Sequence, residues 1–272
     1  MMNHLTFLIA LGRINEIKWG ITPQEWLDSH WYVEFNGVVL AEPSSSFFVF
    51  LLAFVILFVS FQFLKNSKHQ KSHLWFGLSM LAWSLSTFSA GISYQVFSYE
   101  LKCAGQEVCL WTTPWEIVYL LLYVLSVKLL VVVVSYSCSS GKIRKYLQRY
   151  TLIAGLLYLV IMVIGIWSPY QFLISFENMV LFLIPSYLIM FRLNLWNYYK
   201  TKRLLDLKLI KAWFGMLFIT TAYFAFFMSG ISGWLWERGI WFNANDVLHI
   251  LLIGWAMYVL FRIEPLVTDI DE

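Results

Sequence analysis

Seven long apolar stretches follow the first 45 residues of this chain. A helix that crosses a bilayer needs about 20 mainly apolar residues, and such stretches are unusual in soluble domains. Charged residues make up 13% of the chain, against about 25% in soluble globular domains. The mean hydropathy is +0.69. The sequence therefore predicts an all-α, polytopic membrane protein in which seven transmembrane helices form one bundle.

The apolar stretches divide the chain into three parts. Residues 1–45 form an N-terminal segment, residues 46–263 the seven-helix domain, and residues 264–272 a short tail. The apolar run 5–11 is short and no small-residue cleavage site follows it, so we expect the first segment to be retained. The predicted spans are residues 47–64, 73–99, 114–137, 150–167, 170–191, 209–230 and 242–262.

The distribution of basic residues predicts the orientation. The connections after the first, third and fifth spans hold 13 of the 19 Lys and Arg residues. Short loops rich in Lys and Arg stay in the cytoplasm, so the N-terminus is expected outside and the C-terminus inside. Tryptophans are frequent in the first 45 residues, which favours a cap on the outer surface with a short helix in ITPQEWLDSHW. A mobile tail is the alternative.

Two of the three cysteines, Cys103 and Cys109, lie in the loop after the second span. An oxidising outer face permits a disulfide there, and we expect one. A redox-active pair is the alternative, although the spacing is not CxxC. Cys138 ends the third span and is expected to be an ordinary buried or interfacial thiol.

Polar residues within the spans are the candidate functional groups, because ionisable side chains are costly in lipid. Neighbouring helices run in opposite directions, and these residues all fall within about 10 Å of the outer boundary. We expect them to converge in one outward-facing cavity. They are Tyr94, Gln95 and Glu100 near the end of the second span, Glu116 in the third, Glu177 in the fifth, and Asn245, Asp246 and His249 in the seventh.

Asp246 and His249 are the most suggestive pair, because residues three apart share a helix face. A carboxylate beside an imidazole raises its basicity, which suits a general base or half of a metal site. Glu116 is the supporting catalytic candidate, and Tyr94, Gln95, Glu177 and Asn245 are ligand-binding candidates. In the alternative interpretation, Asn245 or Asp246 caps the seventh helix and His249 only packs.

Lys128 lies about two turns from the cytoplasmic end of the third span. Its long side chain is expected to extend to the inner interface, with a buried ion pair as the alternative. The seventh span contains no lysine, so a conventional retinal Schiff base does not fit.

Three segments resemble bacterial seven-span proteins of the alkaline ceramidase and adiponectin-receptor-like superfamily. They are AEPSSSFFVFLLAF at the first span, GISYQVF at the end of the second and FNANDVLHILL at the start of the seventh. The resemblance implies a seven-helix fold. It also implies a zinc-dependent amidase acting on lipids, with histidines of the second and seventh helices holding the metal beside an acidic residue and a serine.

The chain departs from that pattern at most metal positions. Gln95, Ala244 and Val49 stand where the pattern has two histidines and an acid, so only Asp246 and His249 remain as ligands. Catalytic zinc takes three protein ligands and a water. Additional ligands would have to come from Glu116, Glu100 or His30. The resemblance thus implies the fold more than the activity.

Three functions remain open. The first is a membrane-embedded hydrolase of a lipid-like substrate, with His249 as base or ligand and Asp246 and Glu116 supporting it. The second is a binding or sensory protein for a small amphipathic ligand. The third is an accessory subunit of another membrane protein. The bilayer is the expected partner and nucleic acid is not. The resemblance and the lack of eukaryotic targeting signals favour a bacterial inner membrane.

Overall fold

Long helices form most of the part of the chain that the computed structural model describes, which is residues 13–67 and 70–270. The apolar run 5–11 and the end of the tail at Asp271 and Glu272 lie outside the described residues. The helices are α1 (Pro23–Ser29), α2 (Pro43–Lys65), α3 (Lys71–Ala90), α4 (Ser98–Lys102), α5 (Pro114–Ser137), α6 (Gly141–Trp167), α7 (Phe176–Thr201), α8 (Leu204–Met228), α9 (Ile231–Trp236) and α10 (Ala244–Tyr258).

Six of these helices are long and apolar enough to cross a membrane. They are α2, α5, α6, α7, α8, and α10 with its continuation to Leu266. The length and composition of these helices define an integral multi-pass membrane protein. The predicted second span corresponds to α3, which is 20 residues long but is not among the six.

The lower hydropathy of α3 comes from hydroxyl side chains that face the bundle. Ser79 donates to the carbonyl of Ser126 at 2.8 Å, and Ser84 donates to the carbonyl of Ala53 at the same distance. Both serines are buried. Buried hydroxyls need partners in an apolar medium, and here carbonyls of the flanking helices α5 and α2 accept their protons. The polarity of α3 is therefore internal to the protein.

Helix α5 lies at the centre and α6 at the periphery. In the apolar 18-residue stretch of α5, 56% of the residues are buried, whereas in that of α6 the share is 17%. Helix α5 packs against α3, α6 and α7, and α3 packs against α2 on its other side. Helix α10 closes the bundle between α2 and α8. Most of the exposed large apolar side chains of α6 are Leu, Ile and Val, which suit contact with lipid.

A β-hairpin caps one end of the bundle, hereafter the cap end, where α2, α5 and α10 begin and α3 ends. Strands β1 (Tyr32–Phe35) and β2 (Val38–Ala41) pair antiparallel. Asn36 and Gly37 form the turn with φ of 50° and 77°, and a two-residue hairpin turn with two positive φ values favours Asn-Gly. The fold is therefore all-α in the bundle, with one hairpin that the sequence analysis did not predict.

Helix α1 and the disulfide complete the cap. Thr22 and Glu25 form a capping box at the start of α1, as expected for the helix in ITPQEWLDSHW. Trp26 is buried and packs beside the disulfide between Cys103 and Cys109, whose S–S distance is 2.03 Å. The disulfide prediction is confirmed. Residues 13–45 are folded onto the bundle, so the mobile-tail alternative is wrong for them.

The tail packs against the opposite end, hereafter the basic end. The carboxylate of Asp269 accepts hydrogen bonds from the backbone N–H groups of Lys71 and Ser72 at 2.7 and 2.8 Å. These are among the N–H groups at the start of α3 that have no partner within the helix. The N–H of Ile270 donates to the carbonyl of Tyr136 at 2.9 Å. The tail thus caps α3 and joins it to α5.

Several helix ends differ from the predicted spans. Helix α6 begins at Gly141 instead of residue 150, and α7 ends at Thr201 instead of residue 191. Charged and polar residues mark where a chain leaves the lipid, but they do not stop helical hydrogen bonding. The predicted second span, residues 73–99, is not α-helical throughout. Helix α3 ends at Ala90, and a π-helical segment follows from Gly91 to Val96.

Lys128 does not extend to the interface and has no carboxylate partner among the described residues. Its side chain is buried, and its Nζ donates to Ser186 Oγ at 2.7 Å and to the carbonyl of Phe182 at 3.1 Å. Pro185 lies within this turn of α7 and supplies no N–H to the helix. The amine therefore bonds to polar groups around the proline turn, and both expectations for Lys128 were wrong.

Helix α6 offers a matched test of bundle packing. A Cβ on Gly165 would lie 2.7 Å from Leu173 Cβ, whereas one on Gly155 of the same helix would meet nothing within 4 Å. We expect Gly165→Ala to destabilise the protein by about 1–3 kcal/mol through overpacking. Gly155→Ala should cause no loss, since alanine favours a helix. Thermal unfolding in maltoside micelles measures both, and equal melting temperatures would contradict this packing.

Candidate functional site

Helix α10 begins with a capping box at the cap end. Asn243 Oδ1 accepts from the N–H groups of Asn245 and Asp246 at 2.7 and 3.3 Å. In return, Asp246 Oδ2 accepts from the N–H of Asn243 at 2.7 Å. Asn243 is thus the N-cap, and Asp246 completes the box. The alternative interpretation named Asn245 or Asp246 as the cap; the structure places the cap at Asn243, with Asp246 as the third residue of the box.

Asp246 also ties α10 to α2. Its Oδ2 accepts from Ser44 Oγ at 3.0 Å, and its Oδ1 accepts from Ser45 Oγ at 2.9 Å. Its side chain is fully buried. Both carboxylate oxygens are therefore engaged, and the N-terminal ends of the two helices are held together. The two serines belong to the first segment of the family resemblance and Asp246 to the third.

Glu42 lies beside this carboxylate. It precedes α2 in a left-handed conformation with φ of 41°, which is uncommon outside glycine. Its Oε2 accepts from Asn243 Nδ2 at 3.2 Å. Burial raises the pKa of Glu42 above its usual value; hydrogen bonds from Asn243 and Asn245 oppose this rise, and the charge of Asp246 adds to it. Two carboxyl groups therefore share one polar cluster, named here the α2–α10 cluster: Glu42, Ser44, Ser45, Asn243 and Asp246.

His249 does not form the expected catalytic pair. It is 8% exposed and lies one turn deeper on α10, and its Nδ1 has no hydrogen-bond partner in the described residues. No ion pair within 4.0 Å joins it to Asp246. The oxygens of Asp246 instead accept hydrogen bonds from Asn243 and the two serines. The orienting carboxylate that a general-base histidine needs is thus already occupied.

Glu116 belongs to a second cluster between α3 and α5. Its Oε1 lies 2.5 Å from Lys102 Nζ and accepts from Ser93 Oγ at 2.9 Å, and its Oε2 accepts from Thr112 Oγ1 at 2.9 Å. Lys102 and Glu116 are both buried. The amine of Lys102 also lies 4.9 Å from the ring centre of Tyr94. This network forms a buried ion pair beside the disulfide loop, separate from the α2–α10 cluster.

The remaining predicted site residues have separate environments. Glu177 is exposed in the first turn of α7. Asn245 is half-buried, and its backbone N–H donates to the side chain of Asn243. Gln95 is buried and its Oε1 has no partner in the described residues. Glu100 accepts from the N–H of Val39 at 2.7 Å and so anchors the hairpin. The structure thus divides the expected single cavity into two hydrogen-bonded clusters and several separate residues.

The donor set does not fit zinc. Residues 13–67 and 70–270 contain no group of three His, Cys, Asp or Glu side chains placed to hold a metal. His30, a further candidate ligand, is stacked on Trp26 with its Nδ1 2.9 Å from a backbone carbonyl. A catalytic zinc needs three such ligands.

Three indole rings lie at the same end of the bundle. The ring centre of Trp31 lies 4.9 Å from that of Trp236 and 5.3 Å from that of Trp241. The backbone carbonyl of Trp31 accepts from the N–H of Glu42 at 2.7 Å. Trp241 is two residues before Asn243, which bonds to Glu42. The residues that carry these rings are therefore joined to the α2–α10 cluster through the backbone of Glu42 and the segment before Asn243.

Sequence reasoning missed Glu42, Ser44, Ser45 and Lys102. The first three were visible in the segment AEPSSSF, directly before a span and opposite the polar start of the last helix. Lys102 had no such signal, because a lysine in an outer loop is expected to be solvated. Its burial depends on the ion pair with Glu116.

The fold and the two clusters define a multi-pass helical membrane protein with a capped polar end. Comparison with known families adds one finding. The model of a family of unknown function, DUF6962, matches residues 45–263, most of the chain, and the protein belongs to this family. No curated protein and no solved structure matches it. The match includes Asp246 and His249 and begins after Glu42 and the hairpin.

The Lys102–Glu116 pair gives a stability test. Lys102→Met leaves the Glu116 carboxylate buried without its cation and should destabilise the protein by about 3–5 kcal/mol. Adding Glu116→Gln removes the unpaired charge and should recover most of the loss. Thermal unfolding of the single and double variants measures this coupling. A double variant no more stable than Lys102→Met would contradict the ion pair.

Proposed function

We propose that the protein is a seven-span membrane protein that binds a small amphipathic ligand at its cap end without hydrolysing it. The supporting observation is the hydrogen bonding of Asp246. Its two carboxylate oxygens cap α10 and bond to serines of α2, and they do not orient His249. Glu42 accepts a hydrogen bond of 3.2 Å from Asn243, and its backbone N–H bonds to Trp31, whose ring packs against two further indoles. Such a mixed apolar and polar border is typical of ligand sites.

Helix α3 is the proposed seventh span. Its 20 residues correspond to about 30 Å of helix, the thickness of a hydrocarbon core. It lies between α2 and α5, where neighbours accept the bonds of its serines. The proposed orientation puts the cap end outside and the basic end in the cytoplasm, which agrees with the loops that hold most Lys and Arg residues. The family resemblance supports a bacterial inner membrane.

Cysteine labelling on intact cells tests the orientation. Glu34→Cys is exposed on the hairpin, and Lys142→Cys is exposed at the start of α6. Background labelling should be low, because Cys103 and Cys109 are bonded and Cys138 is buried. A membrane-impermeant maleimide should label Glu34→Cys in intact cells and Lys142→Cys only after lysis. The reverse pattern would overturn the orientation.

Ligand binding is tested with three twelve-carbon amphiphiles: dodecanol, dodecanoate and dodecylamine. At least one should raise the melting temperature of the protein in maltoside micelles by several degrees, since saturation at about 100 times Kd adds about 2.7 kcal/mol. Trp31→Leu should abolish the shift, and Trp196→Leu, an exposed residue on α7, should retain it. No shift with any amphiphile, or the same shift in Trp31→Leu, would sink the proposal.

The hydrolase remains the second candidate, supported by the shared polar end of α2 and α10. It predicts release of fatty acid from an N-dodecanoyl amide, with loss of release in His249→Ala. The proposed binding function predicts that the wild type and His249→Ala release the same background amount of fatty acid. Mass spectrometry of the extracted fatty acid separates the two.

A further inference from the structure

We propose that the α2–α10 cluster binds an organic ammonium group, so that the amphipathic ligand is a cation. This inference rests on the proposed function and names the head group that the site would take. Four features of the cap end carry it: an unbalanced charge, an aromatic border, the hairpin geometry and a buried nitrogen without a partner.

The first feature is negative charge without a counterpart. In the described ranges 13–67 and 70–270, neither Glu42 nor Asp246 has a Lys, Arg or His partner within 4.0 Å. Elsewhere the bundle does provide cations for buried acids: Lys102 lies 2.5 Å from Glu116 and Arg203 lies 3.7 Å from Asp206. Burying an unpaired carboxylate is costly. A bound cation would supply the missing charge.

The second feature is the cluster of indole rings. Trp31 is tilted by 48° to Trp236 and by 81° to Trp241, with centre distances of 4.9 and 5.3 Å. Indole faces carry negative potential and are the best aromatic partners for cations. Aromatic side chains around a site are the usual means of binding alkylated ammonium groups. Lys102, Arg238 and Lys200 already use aromatic rings in this way within the protein.

The hairpin brings the rings and the acid together. Tyr32 pairs with Ala41, so the next pair outward is Trp31 with Glu42, whose N–H donates to the Trp31 carbonyl at 2.7 Å. Asn243 bonds to Glu42 and follows Trp241 by two residues. Glu42 is therefore tied to the hairpin through its backbone N–H and to the start of α10 through its carboxylate.

The fourth feature is His249. Its imidazole is 8% exposed, and Nδ1 has no hydrogen-bond partner in the described part of the chain. Side chains of a helix lean toward its N-terminus, so His249 leans toward the turn that holds Asp246. A buried nitrogen without a partner is costly unless a ligand or water satisfies it. It lies about one helical turn from Asp246 along α10.

Other ligand classes fit less well. A metal ion needs oxygen or nitrogen ligands around it, but the oxygens of Asp246 already accept three hydrogen bonds and indole faces offer no ligand atom. An anionic head group would meet two carboxylates. A neutral one would leave their charge unbalanced. An ammonium group with alkyl substituents matches both the charge and the rings.

Calorimetric titration with choline tests the head group, with 3,3-dimethylbutan-1-ol as the neutral probe of the same shape. Maltoside micelles suit the measurement because their sugar head groups carry no ammonium. Choline should bind and the neutral probe should bind at least tenfold more weakly. Glu42→Gln should weaken choline binding about tenfold or more, whereas Glu34→Gln, an exposed acid on the same hairpin, should leave it unchanged.

Trp241→Leu provides a second variant that does not touch the backbone before α2, and it should weaken choline binding about tenfold, which is within the range of one partly desolvated cation–π contact. Equal binding of the two probes, or binding unaffected by Glu42→Gln and Trp241→Leu, would overturn the inference. Calorimetric binding of calcium chloride, with no binding of choline, would also overturn the inference. If dodecanol alone stabilises the protein, the ammonium inference fails and the proposed function stands. If no amphiphile binds, both fail.

Discussion

The carboxylate of Asp246 is the contact on which the cap end depends. It completes the capping box of α10 and accepts protons from two serines at the start of α2. N–H groups in the first turn of a helix have no partner within it, and lipid offers none. By satisfying its own helix end and bonding to the neighbouring one, Asp246 fixes the spacing of α2 and α10. Glu42 bonds to Asn243 within this arrangement, while Glu100 anchors the hairpin.

The same requirement explains the interior of the bundle. Serines of α3 donate to carbonyls of α2 and α5, and Lys128 donates to groups around the proline turn of α7. Each polar side chain is tolerated because a neighbour accepts or donates its hydrogen bond. Not every buried polar atom has such a partner. Among the described residues, side-chain atoms without a hydrogen-bond partner occur toward the cap end in Gln95 and His249, and elsewhere in Ser72, His73, Thr151, Tyr158 and Asp206. The two carboxylates of the α2–α10 cluster lack cations within the described residues.

Much of the fold was predictable from the sequence, and much of the site was not. Long apolar stretches located the helices, and the cysteine spacing located the disulfide. The Asn36–Gly37 turn between alternating residues was a hairpin signal that the sequence analysis did not use. The pairing of Asp246 with serines instead of His249 could not be read from spacing, because a shared helix face leaves open which neighbouring helix supplies the partners. Lys128 was misassigned for the same reason.

The central claim is that the polar cap end binds a ligand without a metal. Its most direct test is the zinc content of protein purified without chelators, measured by plasma mass spectrometry for the wild type and His249→Ala. The donor set of the described residues predicts far less than one zinc per chain in both proteins. Close to one zinc per chain in the wild type, lost in His249→Ala, would contradict the account and restore the zinc hydrolase.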